Sequence, residues 1–236
     1  MKIKKDNIKI NIEKGVGNQL LDEINRAKER IWIISPYISD KYTKYLKQKN
    51  EDGLDIKLIT TTAKINNKAI SELIIEKENN ENKNNQNYKD YRLTGFITCI
   101  ISLFFAAVFG FLEIEFITFI SFILFLIGFI VGIYYHNEIN KTTIEYTTPF
   151  ETHILKNIYE DGESPLVHVK LYLIDKKVFL GSVNFTEAGL WHNIESLIEI
   201  KDEKISKKFE KEYFTILSIP TVDEKDINEI AKELIE

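Results

Sequence analysis

Apolar positions follow two periods along this chain, and twice they fuse into unbroken runs. Residues 19–29 place Leu20, Leu21, Ile24 and Ala27 at the spacing of a helix face. Residues 9–13 predict a short strand. Residues 31–34, IWII, predict a buried strand that ends at Ser35-Pro36-Tyr37, because Pro36 has no amide to give to a ladder. Ser39 stands as N-cap for a helix over 40–49, Asp52-Gly53 marks a turn, and a strand over 54–60 and a helix over 63–76 follow. This alternation predicts an α/β layer with parallel pairing. Nearer the C-terminus the pattern predicts a helix over 151–159, a turn at Asp161-Gly162 and a strand–turn–strand over 168–186. A strand over 193–200, a helix over 203–217 and a charged amphipathic helix over 223–235 complete it.

Between these parts the pattern changes. Residues 74–92 are rich in Asn, Lys and Glu, cannot bury a core, and read as a linker or a solvated helix extension. Residues 93–112 and 116–135 carry no charge, and Glu113 and Glu115 lie between them. A bilayer core needs roughly 20 apolar residues per helix, so both runs predict membrane spans. Lys89 and Arg92 before the pair and Lys141 after it place both polar ends of the chain in the cytoplasm. Gly128-x-x-x-Gly132 and Ala106-x-x-x-Gly110 have the spacing of close helix contacts, within one chain or between two. The resulting domains are 1–73 and 144–217 as two parts of one fold, a linker over 74–92, a helical hairpin over 93–135 and a C-terminal helix over 218–236.

Composition narrows the classes. The 236 residues suit one α/β domain with an appendage, or two small domains. A net charge of −5 argues against a basic nucleic-acid coat protein. Cys99 is the one cysteine, which excludes a disulfide framework or a cysteine zinc site and fits a reducing compartment. The first fifteen residues lack the apolar core of a signal peptide.

The candidate chemistry lies in residues 168–186, HVKLYLIDKKVFLGSVNFT. His168 and Lys170 share a strand face, as do Ser182 and Asn184. A three-residue loop, Asp175-Lys176-Lys177, sets Lys170 opposite Ser182 and His168 opposite Asn184; a two-residue loop shifts the register by one. A histidine can act as nucleophile or general acid/base near neutral pH, while a lysine and an Asn amide can clamp phosphate oxygens. Gly181 permits close approach, and Glu195 on the next strand is placed to orient the imidazole.

These residues resemble the HKD signature of the phospholipase D superfamily. His168, Lys170 and Asp175 form the H-x-K-x4-D core, Gly181, Ser182 and Asn184 follow, and Glu195 falls where the family often carries a glutamate. Residues 27–40, AKERIWIISPYISD, resemble the family's first core strand and turn. The resemblance covers about residues 17–62 and 144–217 and implies a mixed sheet flanked by helices, split here by an inserted transmembrane hairpin. It implies a metal-independent phosphodiesterase without cofactor, working through a phosphohistidine. In that set His168, Lys170, Asp175 and Glu195 are catalytic, and Lys170, Ser182 and Asn184 bind the phosphate. Asp175, sited in the turn, is expected to serve structure. His136, His153 and His192 lack a following x-Lys, so the chain has one motif, and a homodimer would supply the second histidine.

Three functions follow from this: a membrane-anchored nuclease, a phospholipase D-type hydrolase of membrane lipids, or a non-catalytic phosphate-binding module. The nuclease leads by analogy with single-motif relatives. Lys41, Lys44, Lys47, Lys49, Lys176 and Lys177 offer local positive charge, though a solvated helix face explains the first four as well.

Overall fold

The computed structural model describes residues 1–79, 85–139, 143–156, 167–219 and 222–235. It divides into two units, Met1–Ile75 with Tyr146–Glu236, and Glu76–Glu145. In the first unit, strands β1 (Lys2–Lys5) and β2 (Ile8–Lys14) lead into α1 (Asn18–Arg26), β3 (Arg30–Ile34), α2 (Asp40–Glu51), β4 (Asp55–Thr61) and a short α3 (Asn67–Ser71). Strand β5 (Ile75–Asn79), helices α4 (Asn85–Phe111) and α5 (Glu115–Ile139) and strand β6 (Thr143–Thr147) come next. The chain then forms β7 (Glu151–Leu155), β8 (Leu171–Ile174), β9 (Lys177–Gly181), β10 (Ile194–Ile200), α6 (Glu203–Tyr213) and α7 (Ile227–Ile235).

Eight strands make one mixed sheet, in the order β1-β2-β10-β9-β8-β3-β4-β7. β3 and β4 run parallel, as do β4 and β7, and the other neighbours are antiparallel. Alternation sends Ile31, Ile33, Ile56, Leu58, Tyr172 and Phe179 to a core under α1, α2 and α3. It sends Ile34, Ile59, Leu171, Leu173 and Val178 to a second core under Ile205 and Phe209 of α6. This is the mixed α/β sheet flanked by helices that the sequence implies, with two long apolar helices inserted.

Several elements differ from the sequence reading. The helix predicted over 63–76 is a 3-10 turn, Lys64–Asn66, followed by the five residues of α3, and the chain is extended from Ile75 onward. The buried Asn66 amide bonds to the carbonyls of Pro36 and Thr61 and so fixes a turn where a longer helix was expected. The helix predicted over 151–159 is strand β7, paired with β4 and burying Ile154 and Leu155; residues 157–159, Asp161-Gly162 and Lys141 lie outside the described residues. Residues 223–225 bond to the free edge of β7 (Lys156 N–H to Asp223 O, 2.8 Å; Lys225 N–H to Ile154 O, 2.9 Å), so α7 starts only at Ile227. Within 74–92, part is strand β5, paired with β6, and α4 already begins at Asn85.

In the second unit α4 and α5 pack through glycine. A Cβ on Gly95 would stand 2.7 Å from Gly132 N and 2.9 Å from Gly128 O, so backbone meets backbone there. Gly128-x-x-x-Gly132 thus serves contact within the chain, while a Cβ on Gly110 would meet only Thr118 Cγ2, at 3.9 Å. Thr94, Thr98, Thr118 and Ser121 donate their hydroxyls to carbonyls four residues back, satisfying polar groups inside the apolar runs. Gln86–Phe111 and Glu115–Glu138, with mean hydropathy 2.2 and 2.8, are long and apolar enough to cross a membrane, and most of their apolar surface is exposed.

Candidate active site

The candidate residues gather where β8 begins, β9 ends and β10 begins, beside the C-terminal end of β3. The β8–β9 register pairs Ile174 with Lys177 and Leu171 with Leu180, so the turn is two residues long, Asp175-Lys176. This corrects the three-residue loop. The ladder ends at Leu171, so His168 and Lys170 lie in the unpaired segment that leads into β8. Tyr172 secures the hairpin end by donating its hydroxyl to Val183 O at 2.6 Å.

Gly181 has a steric reason to be glycine. A Cβ there would stand 2.0 Å from Ser196 O, so the close approach is made by the backbone of β10. That approach lets Ser182 N–H bond to Ser196 O at 3.1 Å and brings the Ser182 hydroxyl onto Glu195.

Lys170 is only 4% exposed, and its ammonium donates to His168 O at 2.9 Å. Burial pushes its pKa down, and the nearby Glu195 carboxylate opposes that shift. The His168 imidazole is lowered from its ordinary 6.5, first by desolvation and then by the Lys170 charge. Its neutral form, the form that can attack phosphorus, is thereby favoured at neutral pH. The Asn184 side-chain oxygen is buried without a partner.

Glu195 is held by two neighbours. Its carboxylate, 8% exposed, accepts from the Ser182 hydroxyl and, at 3.0 Å, from Asn193 Nδ2. Asn193, just before β10, is a functional neighbour that the sequence signals only by its i, i+2 spacing from Glu195. Tyr37, also unassigned, stands edge-on to His168 with ring centroids 6.4 Å apart.

Asp175 is not at the site. Five residues of extended chain, about 16 Å, separate it from Lys170. It occupies the turn at φ 49°, and its carboxylate accepts from the amides of Lys28, Glu29 and Arg30 at 2.9–3.2 Å. Its carbonyl accepts the Arg30 guanidinium at 2.8 and 3.0 Å. Asp175 thus sits in the turn, where the sequence expects it to serve structure, and ties the hairpin to the start of β3. His153 is held between Glu151 and Glu224 on β7.

Residues 130–216, which include every candidate, match the family model described as the PLD-like domain of cardiolipin synthase. That stretch is similar to the phospholipase D-like domain family. Among curated proteins none matches the chain. Among solved structures the chain is similar to NucT from Helicobacter pylori, with 15% identity, TM-score 0.45 and coverage of 92% of this chain and 99% of that one. It is also similar to Nuc from Salmonella typhimurium, a phospholipase D family member, with 13% identity, TM-score 0.43 and coverage of 92% and 98%. A third similar structure is the phosphatidylserine synthase of Haemophilus influenzae Rd KW20, with 12% identity, TM-score 0.43 and coverage of 97% and 42%.

Proposed function

We propose that the protein is a membrane-anchored phosphodiesterase in which His168 is the nucleophile. The carrying observation is the buried Lys170 ammonium bonded to His168 O at 2.9 Å, which sets a cation and an imidazole at the mouth of the β8–β9 hairpin. An imidazole nitrogen attacks phosphorus, the bond to the leaving oxygen breaks, and a protonated second imidazole gives that oxygen its proton. Water then attacks the phosphohistidine, returns a proton to the second imidazole and frees His168. Lys170 and the Asn184 amide hold the phosphate oxygens with Ser182 nearby. Glu195 offsets the Lys170 charge and fixes Ser182, while Asn193 holds Glu195.

A chain with one motif needs a partner for the second imidazole, so the working enzyme is a homodimer with a His168 from each copy. α4 and α5 are the spans. Two spans return both halves of the sheet to one side, and the flanking Lys89 and Arg92 put that side in the cytoplasm. No metal or other cofactor enters the scheme.

Nucleic acid is the first substrate, by resemblance to single-motif relatives. A phospholipid head group is the second reading, favoured by two observations. The matching model is that of a cardiolipin synthase domain. Also, Lys41, Lys44, Lys176 and Lys177 are paired with Glu187, Glu72, Glu203 and Glu23, which leaves less free charge for a nucleic-acid backbone. Purified full-length protein in detergent with EDTA, offered labelled DNA, RNA and mixed phospholipids, separates the two. Cleavage of nucleic acid alone upholds the first, head-group release alone the second. No turnover by folded protein favours a non-catalytic phosphate-binding module. In mixtures, excess His168→Asn chain is expected to suppress wild-type activity; activity strictly proportional to the wild-type chain would contradict the shared site.

A further inference from the structure

The corner of residues 35–38 follows β3 at its C-terminal end, where α/β sheets present their sites. Three fully buried polar side chains hold it. Thr61 Oγ1 and Asn66 Nδ2 donate to Pro36 O at 2.8 and 2.7 Å, and Asn66 Oδ1 accepts from Ile38 N–H at 3.0 Å. Ser35 Oγ donates to Tyr37 O at 2.7 Å and accepts from Phe185 N–H at 3.0 Å. Ile38 forms a β-bridge with Phe185, next to Asn184. Burying two hydroxyls and an amide is costly unless each is bonded, and here each is, with the bonds converging on this corner. The corner is thereby locked to the chain that carries Asn184.

The side chain this corner presents to the site is Tyr37. Its ring meets the His168 imidazole at 77°, edge to face, with centroids 6.4 Å apart. Among the described residues no hydrogen bond fixes that imidazole. The Glu195 carboxylate is taken by Ser182 and Asn193, and the Lys170 ammonium donates to the His168 carbonyl.

We propose that Tyr37 is a positioning residue for His168, its ring edge setting the plane of the imidazole from which the nucleophilic nitrogen addresses phosphorus. The catalytic consequence rests on the phosphodiesterase reading; the contact itself does not. The charged or titratable groups around the imidazole are Tyr37 from the corner and Lys170 from its own segment, with Glu195 of β10 beyond Lys170.

The test uses the full chain in detergent with Tyr37→Phe, Tyr37→Leu and Tyr37→Ser, each checked for folding by thermal unfolding. The His168 ring titration is followed by NMR, assigned by its loss in His168→Asn, and bis(p-nitrophenyl) phosphate serves as the diester. Phe keeps the ring and is expected to keep both titration and turnover. Leu or Ser removes the ring edge, so the His168 titration shifts, and kcat falls by about tenfold or more with KM little changed. An unmoved titration with unchanged kcat in a folded Leu or Ser variant overturns the proposal. A moved titration, in a protein whose wild type turns over no diester, supports the contact and overturns the phosphodiesterase reading instead.

Discussion

At the residue scale the sharpest division is between His168 and Asp175, two members of one motif with unlike work. Asp175 is a left-handed turn residue whose carboxylate caps three consecutive amides of the β3 approach. Replacing it with Ala strands those amides and adds strain at a positive φ. Asp175→Ala is expected to cost about 2–3 kcal/mol while leaving kcat of the folded protein within about twofold. Denaturant unfolding and initial rates check this; a large kcat loss at unchanged stability would put Asp175 back into the chemistry. His168 carries a pH prediction with a definite sign. Desolvation and the Lys170 charge both lower its pKa, so the attacking neutral form persists below the ordinary 6.5. The acid limb of kcat/KM is expected below that value, and a limb at or above it would show that another group controls the rate. The motif letters and their spacing were legible in the sequence. The partners of Glu195 were not, because they depend on how β9 and β10 close together.

At the element scale the β8–β9 hairpin shows both the reach and the limit of pattern reading. Its alternation named the strands, yet the loop length came out one residue too long. The turn is decided by amides some 145 residues upstream in the chain, which no local pattern contains. β7 escaped for a related reason. Its short ETHIL run gains strand character by completing the edge of β4, a tertiary effect that outweighs local propensity. Gly181, by contrast, was legible as a close approach. Gly181→Ala is expected to push β10 from β9 where Ser182 meets Glu195, lowering both unfolding stability and kcat, the latter by about tenfold or more in the folded fraction. Equal kcat in that variant would free the catalytic geometry from the β9–β10 approach.

At the scale of the whole molecule, the long polar and apolar insertion between α3 and β7 is where the chain departs from an ordinary sheet domain. The sheet accepts β1–β4 before the insertion and β7–β10 after it, so both segments must occupy one compartment. The apolar lengths made this division visible in the sequence, whereas the Gly95 contact with Gly128 and Gly132 required the helices themselves. The account's central claim is that His168 becomes phosphorylated during turnover. The most direct measurement is an alkaline quench of the full-length protein reacting with a diester, followed by peptide mass spectrometry. The account predicts a phosphoryl adduct on the peptide carrying His168, absent in His168→Asn. Turnover with no adduct, or with the adduct on His136, His153 or His192, would contradict it.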